Sequence, residues 1–141
     1  MPAFWDASAL VPLCVPGQAD LRRRRLLQEH RMVVWWGSLV ETASAIARLR
    51  RDGHISAAQE ESAYTRLDML RRTWREVQPV SEVRDLAVEQ LGRFDLRAAD
   101  ALQLAAALVW CSRRAARRVF VCGDRRLAKA ARDAGFTVVE P

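Results

Sequence analysis

Between residues 98 and 111 the chain carries only two polar side chains, Asp100 and Gln103, in an otherwise apolar run. A helix that is apolar all round has to be enclosed by other elements on nearly every side. The longest nearly apolar part, 101–111, is well short of the roughly 20 residues that a bilayer-spanning helix needs. The enclosure therefore has to come from the protein itself, and the sequence predicts no contact with a membrane.

The other segments supply that enclosure. Short apolar runs at 4–5, 32–35, 119–122 and 137–139 read as strands, with Val33 and Val34 β-branched in the second. A further strand at 77–80 is weakened by Pro79. Between the strands lie helical patterns. Ser8 opens a turn that Pro12 or Pro16 should interrupt, and 19–30 reads as a basic helix. Ser38 and Glu41 have the spacing of a capping box before a helix that Asp52-Gly53 stops. Ser56 caps a partner helix with Ala63, Leu67, Leu70 and Trp74 on one face, giving a helical hairpin. Helices at 81–91, ended by Gly92, and at 124–134, with Gly135 behind it, complete the pattern. Strands alternating with helices predict an α/β fold: a three-layer α/β/α sandwich around a central, mostly parallel sheet, doubly wound.

At 141 residues the chain has the length of one domain, spanning 1–141. Half the residues are hydrophobic and 28% are charged, which excludes a disordered chain and a disulfide-stapled scaffold. Cys14, Cys111 and Cys122 form no C-x-x-C pair and are expected as reduced, packed thiols. The N-terminus lacks a basic region followed by an apolar core, so the expected compartment is the cytoplasm. A net charge of +6 favours an anionic partner such as nucleic acid or an acidic protein. Arg22 to Arg25 point around a helix as a solvated face. Arg113, Arg114, Arg117 and Arg118 precede a strand and contribute only general field.

Four acids share one place in this pattern. Asp6 ends the first strand, Glu41 lies one turn into the helix after the second, Asp100 opens the buried helix and Asp124 follows the 119–122 strand. Ligands of open parallel sheets bind beyond the carboxyl ends of the strands. Taken singly, Asp6 and Asp124 read as helix caps and Glu41 as half of the capping box. Asp100 resists such a reading, because an ionised carboxylate among Ala98, Ala99, Ala101 and Leu102 is costly to bury unpaired; Arg97 or another arginine could be its partner, and a cation shared among several acids is the sharper option. Two carboxylates about 4 Å apart repel by roughly 4 kcal/mol at an effective dielectric of about 20. A divalent cation shared among them resolves the conflict, and all-oxygen ligation suits Mg2+ or Mn2+ rather than zinc.

With these residues in place the chain resembles the PIN-domain nucleases, and among them the small VapC-type toxins of prokaryotic toxin–antitoxin pairs. The resemblance spans almost the whole chain. It is carried by Phe4-Trp5-Asp6-Ala7-Ser8-Ala9-Leu10, by Glu41, by Leu96-Arg97-Ala98-Ala99-Asp100-Ala101-Leu102-Gln103-Leu104-Ala105, and by Phe120-Val121-Cys122-Gly123-Asp124 with Arg125-Arg126-Leu127. It implies a PIN-like sandwich and a metal-dependent endoribonuclease that hydrolyses RNA phosphodiester bonds. Asp6, Asp100 and Asp124 would hold Mg2+ or Mn2+, Glu41 would orient or deprotonate the attacking water, and Ser8 would support the site. It further implies a VapB-type antitoxin as protein partner, docked on an apolar groove of the 38–74 hairpin, and a homodimer. Two departures stand out: Cys122 replaces a usual threonine or serine, which puts one hydrogen bond in question, and Trp5 replaces a usual small β-branched residue.

The competing enzyme classes lack their signatures. A haloacid-dehalogenase-like phosphatase needs a second aspartate where Ser8 stands, and neither a G-x-G-x-x-G nor a Walker loop is present. The alternative from another class is a non-catalytic PIN-fold module that binds nucleic acid or protein without turnover. Of the adjacent Trp35 and Trp36, alternation sends one into the core and leaves the other near the strand end. His30 and His54 are isolated and take no catalytic role.

Overall fold

Short apolar segments that alternate in facing are what a sheet covered on both sides requires, and these form it. The computed structural model describes residues 1–15 and 21–141. Among the described residues the strands are β1 (Pro2–Trp5), β2 (Arg31–Trp35), β3 (Arg75–Val77), β4 (Val119–Val121) and β5 (Thr137–Val139). They make one sheet in the order β3-β2-β1-β4-β5, and every pairing is parallel. Phe4 sits in register with Val33 on one side and Phe120 on the other. From β1 the chain winds outward through β2 to β3, then returns to β4 and winds outward again to β5. The direction of winding therefore switches between β1 and β4, where the crevice of a doubly wound sheet opens.

The helices are α1 (Ala7–Cys14), α2 (Leu21–Glu29), α3 (Ser38–Arg51), α4 (Ala57–Arg71), α5 (Ser81–Arg93), α6 (Ala98–Trp110) and α7 (Arg125–Asp133). Strand alternation splits the core into two. Phe4, Val33, Trp35, Phe120 and Cys122 pack with α5, α6 and α7 on one face. Ala3, Trp5, Met32, Val34 and Val121 pack with α1, α3 and α4 on the other. Within α6, Ala101, Leu104, Ala105, Ala106 and Ala107 are fully enclosed, as the composition of that run requires. Its partner in that packing is α5, through Val83, Leu86 and Ala87. Trp35 is buried while Trp36 is 51% exposed, so alternation sorted the pair as expected. Among the described residues no helix is long and apolar enough to cross a membrane.

The structure departs from the local sequence signals at four places, each for a tertiary reason. Helix α1 runs through Pro12, because Ala9, Leu10, Leu13 and Cys14 are buried and that packing outweighs the roughly 3 kcal/mol cost of an interior proline. The helix ends at Cys14, two positions before Pro16, in keeping with the other expected breaker; Pro16 itself and the start of the basic helix at 19–20 lie outside the described residues. Gly92 falls inside α5, whose burial of Val83, Leu86, Ala87 and Gln90 holds the final turn against glycine's cost of about 1 kcal/mol. Strand β3 covers 75–77 rather than 77–80, since Pro79 offers no ladder donor; pairing stops at Val77, whose carbonyl accepts from Trp36 N. The fourth departure is the capping box at Ser38, and it bears on the site.

Candidate active site

The chain leaves β1 and β4 side by side, so the turns into α1 and α7 face each other across the switch point. Asp6 ends β1 and caps α1: its Oδ2 accepts from Ser8 N at 3.1 Å and from the Ser8 hydroxyl. Ser8 Oγ in turn accepts from Gly123 N at 2.9 Å. Cys122 Sγ lies 3.6 Å from Asp6 Oδ2 and 3.3 Å from the Asp124 carbonyl oxygen. The thiol thus keeps, at longer range, the contact to the first acid that the cysteine put in question. Asp124 caps α7, its Oδ1 accepting from Leu127 N at 2.9 Å. Both aspartates are helix caps, yet each caps with one oxygen only. Oδ1 of Asp6 and Oδ2 of Asp124 carry no hydrogen bond among the described residues.

Glu41 is freed from the capping role that its spacing suggested. Gly37, not Ser38, is the N-cap of α3, and Ser38 is its buried first residue. The Ser38 hydroxyl accepts from Gln103 Nε2 at 2.8 Å, and the same amide nitrogen donates to Glu41 Oε2 at 3.2 Å. Gln103 is fully buried in α6, and its Oε1 has no partner among the described residues. One amide therefore ties the start of α3 to α6 and fixes the Glu41 carboxylate. Sequence reasoning left Gln103 without a role, although its signal was present: it is one of two polar residues in a run that is otherwise apolar. Asp100, one turn into α6, reaches back to the Arg97 backbone N–H.

The carboxylates feel one another. Burial pushes Asp6 above the ordinary carboxylate range, against the hydrogen bonds from Ser8, and the Asp100 charge adds to the rise. Burial likewise pushes Glu41 up to about 7; the Gln103 bond opposes this, and Asp6 and Asp100 reinforce it. Asp100 is raised by burial and then by Asp124, with Arg126 and Arg97 acting in the other direction. All four predicted acids thus share one electrostatic neighbourhood at the carboxyl edge of the sheet. Among the described residues no three carboxylate, thiol or imidazole side chains converge closely enough to hold one ion between them alone.

A parallel sheet of this order, with helices on both faces and acids gathered at its switch point, defines a PIN-like α/β/α sandwich. Solved structures share it. VapBC2 from Rickettsia felis, bound to a DNA fragment from its promoter, superposes with a TM-score of 0.70 over 99% of this chain and 98% of that one, at 10% identity. A toxin–antitoxin complex from Klebsiella pneumoniae matches at 0.61 over 89% and 90%, with 14% identity. PAE2754 from Pyrobaculum aerophilum matches at 0.65 over 99% and 89%, with 19% identity. At these identities the likeness is one of fold. No protein-family model matches the sequence, and no curated protein sequence is similar to it.

Proposed function

We propose that this chain is a metal-dependent endoribonuclease that hydrolyses RNA phosphodiester bonds and serves as the toxin of a type II toxin–antitoxin pair. The observation that carries the reading is the set of mutually repelling, desolvated carboxylates at the switch point: Asp6, Glu41 and Asp100, with Asp124 acting on Asp100. A fold gains nothing from that arrangement unless something positive occupies it.

The donor set fits a hard divalent cation. Asp6 and Asp124 each keep one unbonded oxygen, and Mg2+ is typically held by one or two carboxylates, retained waters and substrate phosphate, so three converging side chains are not required. Asp6, Asp100 and Asp124 are the residues that would hold it. Bound there, Mg2+ or Mn2+ would polarise a phosphoryl oxygen and stabilise the leaving oxygen. Glu41, desolvated and aimed by Gln103, is placed to orient the attacking water or accept its proton. Ser8 holds Asp6 and the β4–α7 turn in place through its two bonds.

The toxin role, with a VapB-type antitoxin as partner, draws on the fold likeness to toxin–antitoxin complexes; a homodimer is proposed as the assembly. Incubating the purified protein with a mixed RNA pool tests the chemistry. Cleavage with Mg2+ or Mn2+, lost with chelator and in Asp100→Asn, is the expected result. A folded protein that binds RNA equally with and without chelator and never cuts it would instead be a non-catalytic binding module. Expression of the chain alone should arrest growth, and Asp100→Asn should not.

A further inference from the structure

Beside Asp100 and Asp124 the strand edge opens into a cleft of about 560 Å³ lined by Arg97, Ala99, Asp100, Asp124, Arg125 and Arg126. The three arginines are exposed. Arg97 and Arg125 form no ion pair among the described residues, and Arg126 meets only Asp95, at 3.9 Å, whose side chain is 92% exposed. Guanidinium groups serving only as counter-ions would close onto the acids as charge-assisted pairs at about 2.7–2.9 Å. These three leave most of their donors unfilled. The cleft on the other side of the site, about 420 Å³, is different: Ser8 and Glu41 lie there among small and aliphatic side chains, and Arg48 is its one cation among the described residues.

The asymmetry has a physical consequence for a polyanion. A site built from four acids repels the backbone it has to cut, and the repulsion is offset mainly on the Asp100–Asp124 side, where three arginines line the cleft against one, Arg48, on the other. The guanidinium fork binds phosphate oxygens bidentately, which a lone ammonium cannot do.

Resting on the nuclease reading above, we propose that the cleft of Arg97, Arg125 and Arg126 is a phosphate subsite that holds the single-stranded RNA backbone beside the phosphate being cleaved, independently of metal. The strand then runs from the basic cleft across the acids toward the Glu41 side, and the arginines set where along it the reactive phosphate falls.

The test is the salt dependence of binding to a fluorescein-labelled oligouridylate, read by anisotropy with chelator present so that no cleavage intervenes. An Arg97→Ala, Arg125→Ala, Arg126→Ala triple variant is compared with an Arg113→Ala, Arg114→Ala, Arg117→Ala triple that removes the same charge before β4, at the opposite end of the strands. The first triple should flatten the log–log salt slope by about 2, at roughly 0.7 for each phosphate no longer neutralised, and weaken binding about tenfold or more. The second should leave the slope nearly unchanged, and replacement of the first three by lysine should restore it. Single variants at these exposed positions give the same comparison should a triple fold poorly. Equal flattening of the slope in both triples would overturn the subsite, as would unchanged RNA affinity accompanied by tighter Mn2+ binding, which marks simple counter-ions. The cleavage assay keeps the two readings apart. A wild-type protein that shows the slope difference but never cuts RNA upholds the cleft and refutes the nuclease; a cutting protein without the difference does the reverse.

Discussion

Gln103 shows how much can rest on one side chain. Its amide nitrogen serves both Ser38 and Glu41, so it fixes the direction of the carboxylate that handles the proton. Hydrogen bonds to charged groups contribute about 1.5–3 kcal/mol, so Gln103→Leu, which keeps the bulk and removes the amide, should lower kcat for RNA cleavage by tenfold or more with little change in KM. An unchanged kcat would show that Glu41 is placed by other means. The thiols make the opposite case, of groups held inert. Burial pushes Cys14 up to about 11 and Cys122 up to about 12, raises Cys111 as well, and leaves all three enclosed. Ellman's reagent should therefore label none of them in the native protein at pH 8 and all of them after denaturation. At this scale the sequence was partly legible: Asp6, Glu41, Asp100 and Asp124 stood out as acids at strand or helix ends. The role of Gln103 did not, because a buried amide declares that it has a partner without declaring which one.

Elements were read best where composition leaves no alternative. The apolar runs of β1, β2 and β4 and the nearly apolar α6 formed where their sequences placed them, since each could be satisfied only by burial on two sides. The departures from local propensity at Pro12, Gly92 and Ser38 share a cause: preferences worth about 1–3 kcal/mol yielded to packing or to a hydrogen bond between segments distant in sequence. Ser38 is instructive, because its capping-box spacing was real and its hydroxyl was taken by α6 instead. The link from β2 to α3 depends on Gly37 for a related reason. A Cβ there would sit 2.5 Å from Nε1 of the buried Trp35 indole, which cannot retreat without disturbing the core. Gly37→Ala should destabilise the fold by about 1–3 kcal/mol, seen as a lower midpoint in urea with tryptophan fluorescence as the probe. A midpoint equal to wild type would mean that the indole has room to move.

For the whole molecule the acid cluster turns into a pH dependence with a defined sign. Glu41 titrates near 7 in the fold against an ordinary value of 4.5, and Asp6 and Asp100 are also raised, so the folded state holds more protons than the unfolded chain in that interval. The contribution of Glu41 is complete below about 4.5 and is lost as pH rises through 7, and the two raised aspartates act in the same direction. Metal-free protein should melt at progressively lower temperature between about pH 5 and pH 7.5, and Glu41→Gln should flatten that trend. A melting temperature that climbs over the same range in the metal-free wild type would contradict the described electrostatics. The parallel sheet covered on both faces was foreseeable from alternation, whereas its strand order and the basic cleft were not; the cleft joins Arg97 to Arg125 and Arg126 through the packing of α6 beside α7. The central claim, that these carboxylates are assembled for a divalent cation, is tested most directly by titrating Mn2+ into the protein and following free Mn2+ by electron paramagnetic resonance. Saturable binding at pH 7.5 that is abolished in Asp6→Asn and in Asp100→Asn, with both variants folded, is the predicted result; Mn2+ that stays free in the wild type, or binds the two variants equally well, would contradict it.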